Sequence, residues 1–264
     1  MKIRSLLVIV LALVATTGFA QKKKKKDEPR AMEEVPAAPI TAPAQKPQPV
    51  AKDTLPKINP LTQHFARKYA TAVQWNDYEV AKDALYDLII ENPQNDSLIF
   101  DLALFYYQNQ KSASAVLVSN ELLARNPKNL GALEIAAGGY EALGVLDKAL
   151  QSYESLYLLT NNIGTMYKMA FLQYRLKRYK ESDTSADIVL ASKYVETLKA
   201  SYTGADNKAK EYPIKVAVIN LKGMIALDQG DKLGAKKLFE QVLAIAPDFT
   251  LAKENLAKTK PAAK

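Results

Sequence analysis

The side chains that most often carry chemistry are scarce in this chain. Histidine occurs once, at His64, and cysteine not at all, so a hydrolase triad has a single possible base and a zinc site lacks most of its usual donors. His64 stands at the entry to the first of a series of helical segments and reads as a partly exposed helix-start residue. Asp183 and Asp187 lie four apart on one helix face, a spacing that suits an acid–base pair or a bound cation, but Lys180 and Glu181 beside them favour a solvated charged face. Asp228 and Asp231 bracket Gly230 without the further oxygen ligands of a calcium loop. There is no glycine-rich phosphate loop, dinucleotide fingerprint or Gly-x-Ser-x-Gly elbow. The expectation is a protein that is not an enzyme and uses neither metal nor cofactor.

The remaining chemistry is charge. The net charge of +8 is unevenly spread: Lys2 and Arg4 lie at the start, the stretch 21–60 is basic, and the helical region from residue 61 is close to balanced. A nucleic-acid-binding domain gathers basic residues on a folded face, so no nucleic-acid partner is expected. The run Lys22, Lys23, Lys24, Lys25 and Lys26 reads as a solvated tract, with contact to an anionic membrane surface or polymer as the alternative.

The elements that would position any site come next. Residues 1–20 have a basic start, an apolar stretch from Leu6 to Ala15 and small residues up to Ala20, which is the layout of a secretory signal peptide cleaved after Ala20. The expected location is therefore outside the cytoplasm, most simply the periplasm; the lysines after the cleavage site keep an uncleaved anchor open as an alternative. Residues 21–60 contain no glycine and many prolines, with apolar residues mostly Ala and Val. Such a composition predicts a disordered, partly polyproline II linker rather than a domain.

From 61 to 260 the sequence repeats. Asn92-Pro93 and Asn126-Pro127 are 34 residues apart, as are Ala81, Ala115 and Ala149; Ser182 follows after 33 and Ala235 after 53. A period in this range is the mark of a solenoid of helical pairs. The last copy carries Ile219, Gly223, Ala226, Gly230, Ala235, Phe239, Val242 and Pro247; the third carries Leu133, Ala136, Ala137, Tyr140, Gly144, Ala149, Tyr153 and Leu156. These large, small, turn, aromatic and proline positions resemble the tetratricopeptide repeat, with Lys222 departing where that pattern prefers Leu and Asn161 where it prefers Pro. The resemblance implies an all-α, right-handed α-solenoid of about five helical pairs (61–94, 95–128, 129–161, 162–195, 215–248) and a capping helix, 249–260. The long spacing before Ala235 places an insertion at about 196–214, read as a lengthened helix to about Ala200, a loop through Gly204, and Pro213 opening the next helix. Tyr194, Tyr202 and Tyr212 either make this insertion a binding element or pack locally.

Function enters through surface that the pair packing does not use. Phe100, Leu104 and Tyr107 form a second apolar stripe on the second copy's first helix, and Tyr167, Phe171 and Tyr174 form one on the fourth. A helix apolar on two faces must bury both or offer one. The resemblance implies that this stripe faces a concave groove for peptides or helices. Between the two stripes the third copy supplies Glu134, Gly138 and Glu141, and the fifth adds Met224. This combination suits an aromatic or aliphatic anchor beside a Lys or Arg. It equally suits the chain's own Pro-rich stretch, and nothing in the sequence speaks against self-association. The expected function is a protein- or peptide-binding scaffold or assembly factor of the cell envelope. The alternative is a tethered electrostatic adaptor whose lysine run does the binding.

Overall fold

The computed structural model describes residues 59–203 and 208–260. The expected signal peptide, the linker up to residue 58 and Lys22 to Lys26 lie outside the described residues. Eleven α-helices are found among them: α1 (Pro60–Gln74), α2 (Tyr78–Glu91), α3 (Asp96–Gln108), α4 (Ser112–Arg125), α5 (Leu130–Ala142), α6 (Leu146–Thr160), α7 (Ile163–Arg175), α8 (Tyr179–Leu190), α9 (Ile214–Asp228), α10 (Lys232–Ile245) and α11 (Thr250–Lys258). None is long and apolar enough to cross a membrane.

Local chemistry explains where these helices begin and turn. The first helices of four pairs start on an asparagine, Asn59, Asn95, Asn129 and Asn162, whose side chain accepts an N–H of the first turn. Between the two helices of each pair the chain passes through a positive φ, at Asn76, Gln110, Gly144, Lys177 and Gly230. The turn therefore demands a left-handed residue five times, although glycine supplies it only twice.

Each pair closes on small residues. Ala81, Ala103, Ala115, Ala137, Ala149, Ala170 and Ala235 are fully buried, letting neighbouring helices approach. At Gly223 a Cβ would stand 2.5 Å from the Phe239 ring, so the ring of α10 needs the glycine of α9. Polar rungs join successive pairs: Tyr86 Oη lies 2.7 Å from Tyr106 Oη, and 34 residues on, Asn120 donates to Tyr140 Oη at 2.8 Å. Stability in such a stack comes from neighbours rather than from any single pair. At one end, α2 is the one element among the described residues whose backbone comes within 8 Å of α1, with His64 and Arg67 exposed and Lys68 bridging Asp83 and Asp87 at 2.5 and 3.2 Å. At the other, α11 buries Ala252 and Asn255 and exposes Lys253, Glu254 and Lys258.

The insertion differs from expectation. Helix α8 stops at Leu190, turns carry the chain to Leu198, and an antiparallel hairpin follows: β1 (Lys199–Thr203) paired with β2 (Ala209–Pro213), Ala200 opposite Tyr212. Pro213 closes β2 and precedes α9 instead of lying inside it. The physical reason is period-two burial: Ala200, Tyr202 and Tyr212 all turn inward. The Tyr202 and Tyr212 rings both meet Phe249 edge-on, at 5.1 and 5.0 Å, so the hairpin seats the start of α11. Tyr194 alone of the three tyrosines is exposed.

Candidate functional site

The expected inner-face residues divide into two groups. On α3, Phe100 and Leu104 are half-buried, and the Phe100 ring lies across Gly131 of α5 so closely that a Cβ there would collide with it. Tyr107 does the same at Gly138, its hydroxyl occupying the space a side chain would take, yet the residue stays 40% exposed. The glycines of α5 are thus the seats of the α3 rings. Glu134 is exposed and Glu141 half-buried on either side of the Tyr107 seat.

The α7 stripe is corrected by the structure. Tyr167 is only 2% exposed, its hydroxyl 2.7 Å from that of Tyr202 on β1. Phe171 packs on Tyr167 at 4.9 Å and against Leu221 and Ile225 of α9. The Tyr174 hydroxyl donates to Asp228 Oδ2 at 2.8 Å, and that of Tyr179 to the same oxygen at 3.3 Å. Tyr167 is therefore core beneath the hairpin, while Phe171 and Tyr174 are half-buried and engaged with α9. Met224 is half-buried, its sulfur accepting from Asn220 Nδ2 at 3.4 Å, and is not brought to the α3–α5 group.

Instead, residues one position along complete the site. No Cα of α5 lies within 8 Å of one in α7, and side chains span the interval. Arg175 Nη1 donates to Glu141 Oε1 at 3.3 Å. Tyr153, buried on α6 behind, donates to Glu141 Oε2 at 3.4 Å and accepts from Lys168 Nζ at 3.2 Å. Sequence reasoning missed Tyr153, Lys168, Arg175 and Asp101. The repeat does not flag Lys168 and Arg175: the fourth copy follows the third by 33 residues, from the Asn129 cap to the Asn162 cap, which puts them one place beyond the equivalents of Glu134 and Glu141.

The electrostatics lean acidic. Burial raises the Tyr107 phenol, and the charges of Glu134 and Glu141 raise it further; burial drives Tyr153 well above the tyrosine range, with Glu141 adding to it. Both phenols therefore stay protonated and act as hydrogen-bonding groups at neutral pH. Asp101 on α3 is held above the usual carboxylate range by burial. Burial also raises Tyr69 on α1, with the Asp101 charge as a second cause.

The other acidic pairs serve the fold. Lys222, where the repeat pattern prefers Leu, sits between Asp183 and Asp187 at 2.7 and 2.6 Å, joining α8 to α9. Asp231 caps α10 through Gly234 N at 2.8 Å, while Asp228 takes the two tyrosines. Among the described residues no group of three or more His, Cys, Asp or Glu is placed to hold a metal.

No protein-family profile matches the chain, and no curated protein matches it in sequence. Solved structures do. The MamA protein superposes with a TM-score of 0.55 at 13% identity over 77% of this chain and 98% of its own. MamA from Desulfovibrio magneticus RS-1 gives 0.54 at 10%, over 72% and 98%. YrrB, described as a TPR protein with an unusual peptide-binding site, gives 0.58 at 12%, over 72% and 89%. At these identities the likeness establishes the fold: a tetratricopeptide-type helical solenoid.

Proposed function

We propose that the chain is a non-enzymatic scaffold that holds another protein on the inner face formed by its first helices, in the cell envelope. The observation that carries this reading is the open wall of α3 and α5, where Tyr107 is seated on Gly138 between Glu134 and Glu141 yet remains accessible. The peptide-binding site ascribed to YrrB on the same fold supports the assignment. Export with cleavage after Ala20 belongs to this proposal and rests on the layout of residues 1–20 alone; intact-mass measurement of the purified protein tests it, a chain beginning at Gln21 being the expected result.

The binding reading is tested by placing a photo-crosslinking amino acid in turn at Glu134, on the inner wall, and at Leu117, an exposed apolar residue on α4. In intact cells adducts are expected from position 134 and not from 117. Adducts from 117 alone would move the site to the outer helices and refute the proposal.

A further inference from the structure

Two independent features bound what the inner face accepts. At α7 the face is already taken: Tyr167 is sealed under Tyr202 of β1, and the hairpin continues to Phe249 at the start of α11. The open part therefore runs from α1 to the near side of α7. Only α3 and α5 among these first helices approach with Cα atoms within 8 Å, so the three intervals span at least about 30 Å, room for about nine extended residues.

The charges within that span are unequal. Glu141 already has Arg175, and Lys168 is held by the Tyr153 hydroxyl and lies 5.1 Å from the centre of its ring. Glu134 and Asp101, like Lys168, have no ion-pair partner among the described residues, but Glu134 alone of the three is exposed beside the Tyr107 seat. An incoming anion would compete with Glu141 for Arg175, and would reach Lys168 only on the α6 side, where that ammonium donates to the Tyr153 hydroxyl, away from the Tyr107 seat. An incoming cation finds a free carboxylate at Glu134 and, beside it, the exposed part of the Tyr107 ring, which favours a guanidinium or ammonium over its face.

We infer that this stretch receives a short segment of another protein bearing a Lys or Arg opposite Glu134, with an aliphatic or aromatic neighbour lodged against Tyr107. The inference rests on the inner face being the binding surface. A segment with acidic residues in that place is disfavoured by Glu134, so the wall selects by charge as well as by fit.

The test uses the full chain and two fluorescein-labelled nonapeptide pools, randomised except for a central Leu-Arg-Phe or a central Leu-Glu-Phe, followed by fluorescence anisotropy. The arginine pool is expected to bind at least about tenfold tighter, with the gap shrinking as salt is raised. Glu134→Lys is expected to abolish the preference without moving the melting midpoint, and Tyr107→Ala to weaken both pools. Equal binding of the two pools, or a preference that survives Glu134→Lys, overturns the inference. If neither pool binds while position 134 still gives adducts in cells, the cationic chemistry fails and the binding face stands; if adducts vanish too, both fail. An adduct of twice the chain mass would make a second copy the occupant and also overturn it.

Discussion

A single absent side chain has opposite consequences at two places in this protein. At Gly223 an added Cβ would meet the Phe239 ring, which is wholly buried, so Gly223→Ala should destabilise by about 1–3 kcal/mol as overpacked cores do. At Gly138 it would meet the far end of Tyr107, a ring free to swing outward, so Gly138→Ala should cost much less in a urea melt while impairing partner capture. Ser119 has a buried hydroxyl without a partner among the described residues, and Ser119→Ala is expected to be neutral or stabilising. Asp101 adds a pH signature. Because burial raises its folded-state pKa above the unfolded value, folding is favoured below the ordinary carboxylate range, and that advantage is lost as pH rises through the folded value. Asp101→Asn should therefore raise the melting midpoint at pH 7 and leave it nearly unchanged at pH 3. At this scale the site was half legible. Phe100, Tyr107, Glu134, Gly138 and Glu141 could be read as one wall because they share the 34-residue register. The fourth copy follows the third by 33 residues in the structure as well, from the Asn129 cap to the Asn162 cap and from Gly144 to Lys177, so Tyr167 and Tyr174 do take the equivalent places; what the repeat could not show is that the hairpin and α9 meet them there, while Lys168 and Arg175, one place on, reach α6 and α5.

The inter-helix turns and the hairpin carry the consequences at the level of elements. Gln110 and Lys177 hold φ of 57° and 60° at the positions where Gly144 and Gly230 stand in other pairs. Relief of the left-handed strain should let Gln110→Gly or Lys177→Gly stabilise the fold by up to about 1 kcal/mol, despite the extra entropy of glycine in the unfolded chain. The hairpin is held by the buried Tyr167–Tyr202 hydroxyl pair, so Tyr202→Phe should cost about 1–3 kcal/mol by stranding one hydroxyl, and the double Phe variant should recover much of it. A loss in the double variant equal to the sum of the singles would show that the two hydroxyls do not act as a pair. Helical pairs were readable because small residues, turns and prolines recur at fixed spacing. The hairpin was not, because its strands are five residues long and rich in Lys, Ala and Glu, whose local preference is helical; only the inward alternation of Ala200 and Tyr202 betrays them.

Across the molecule, coupling between pairs is uneven. Pairs four and five are tied by Lys222 to two aspartates, by Tyr174 and Tyr179 to Asp228, and by the hairpin, whereas among the described residues only α2 brings its backbone within 8 Å of α1. Native-state hydrogen exchange should accordingly show α1 and α2 opening first and α9 last. The inner wall lies between these extremes, on α3 and α5, and is expected to open at an intermediate free energy. The most direct measurement is hydrogen exchange of the full chain with and without the partner recovered by crosslinking at position 134. New protection is expected in α3 around Tyr107 and in α5 from Glu134 to Glu141, with the outer helices α4 and α6 unchanged. Protection confined to α4 and α6 would contradict the account.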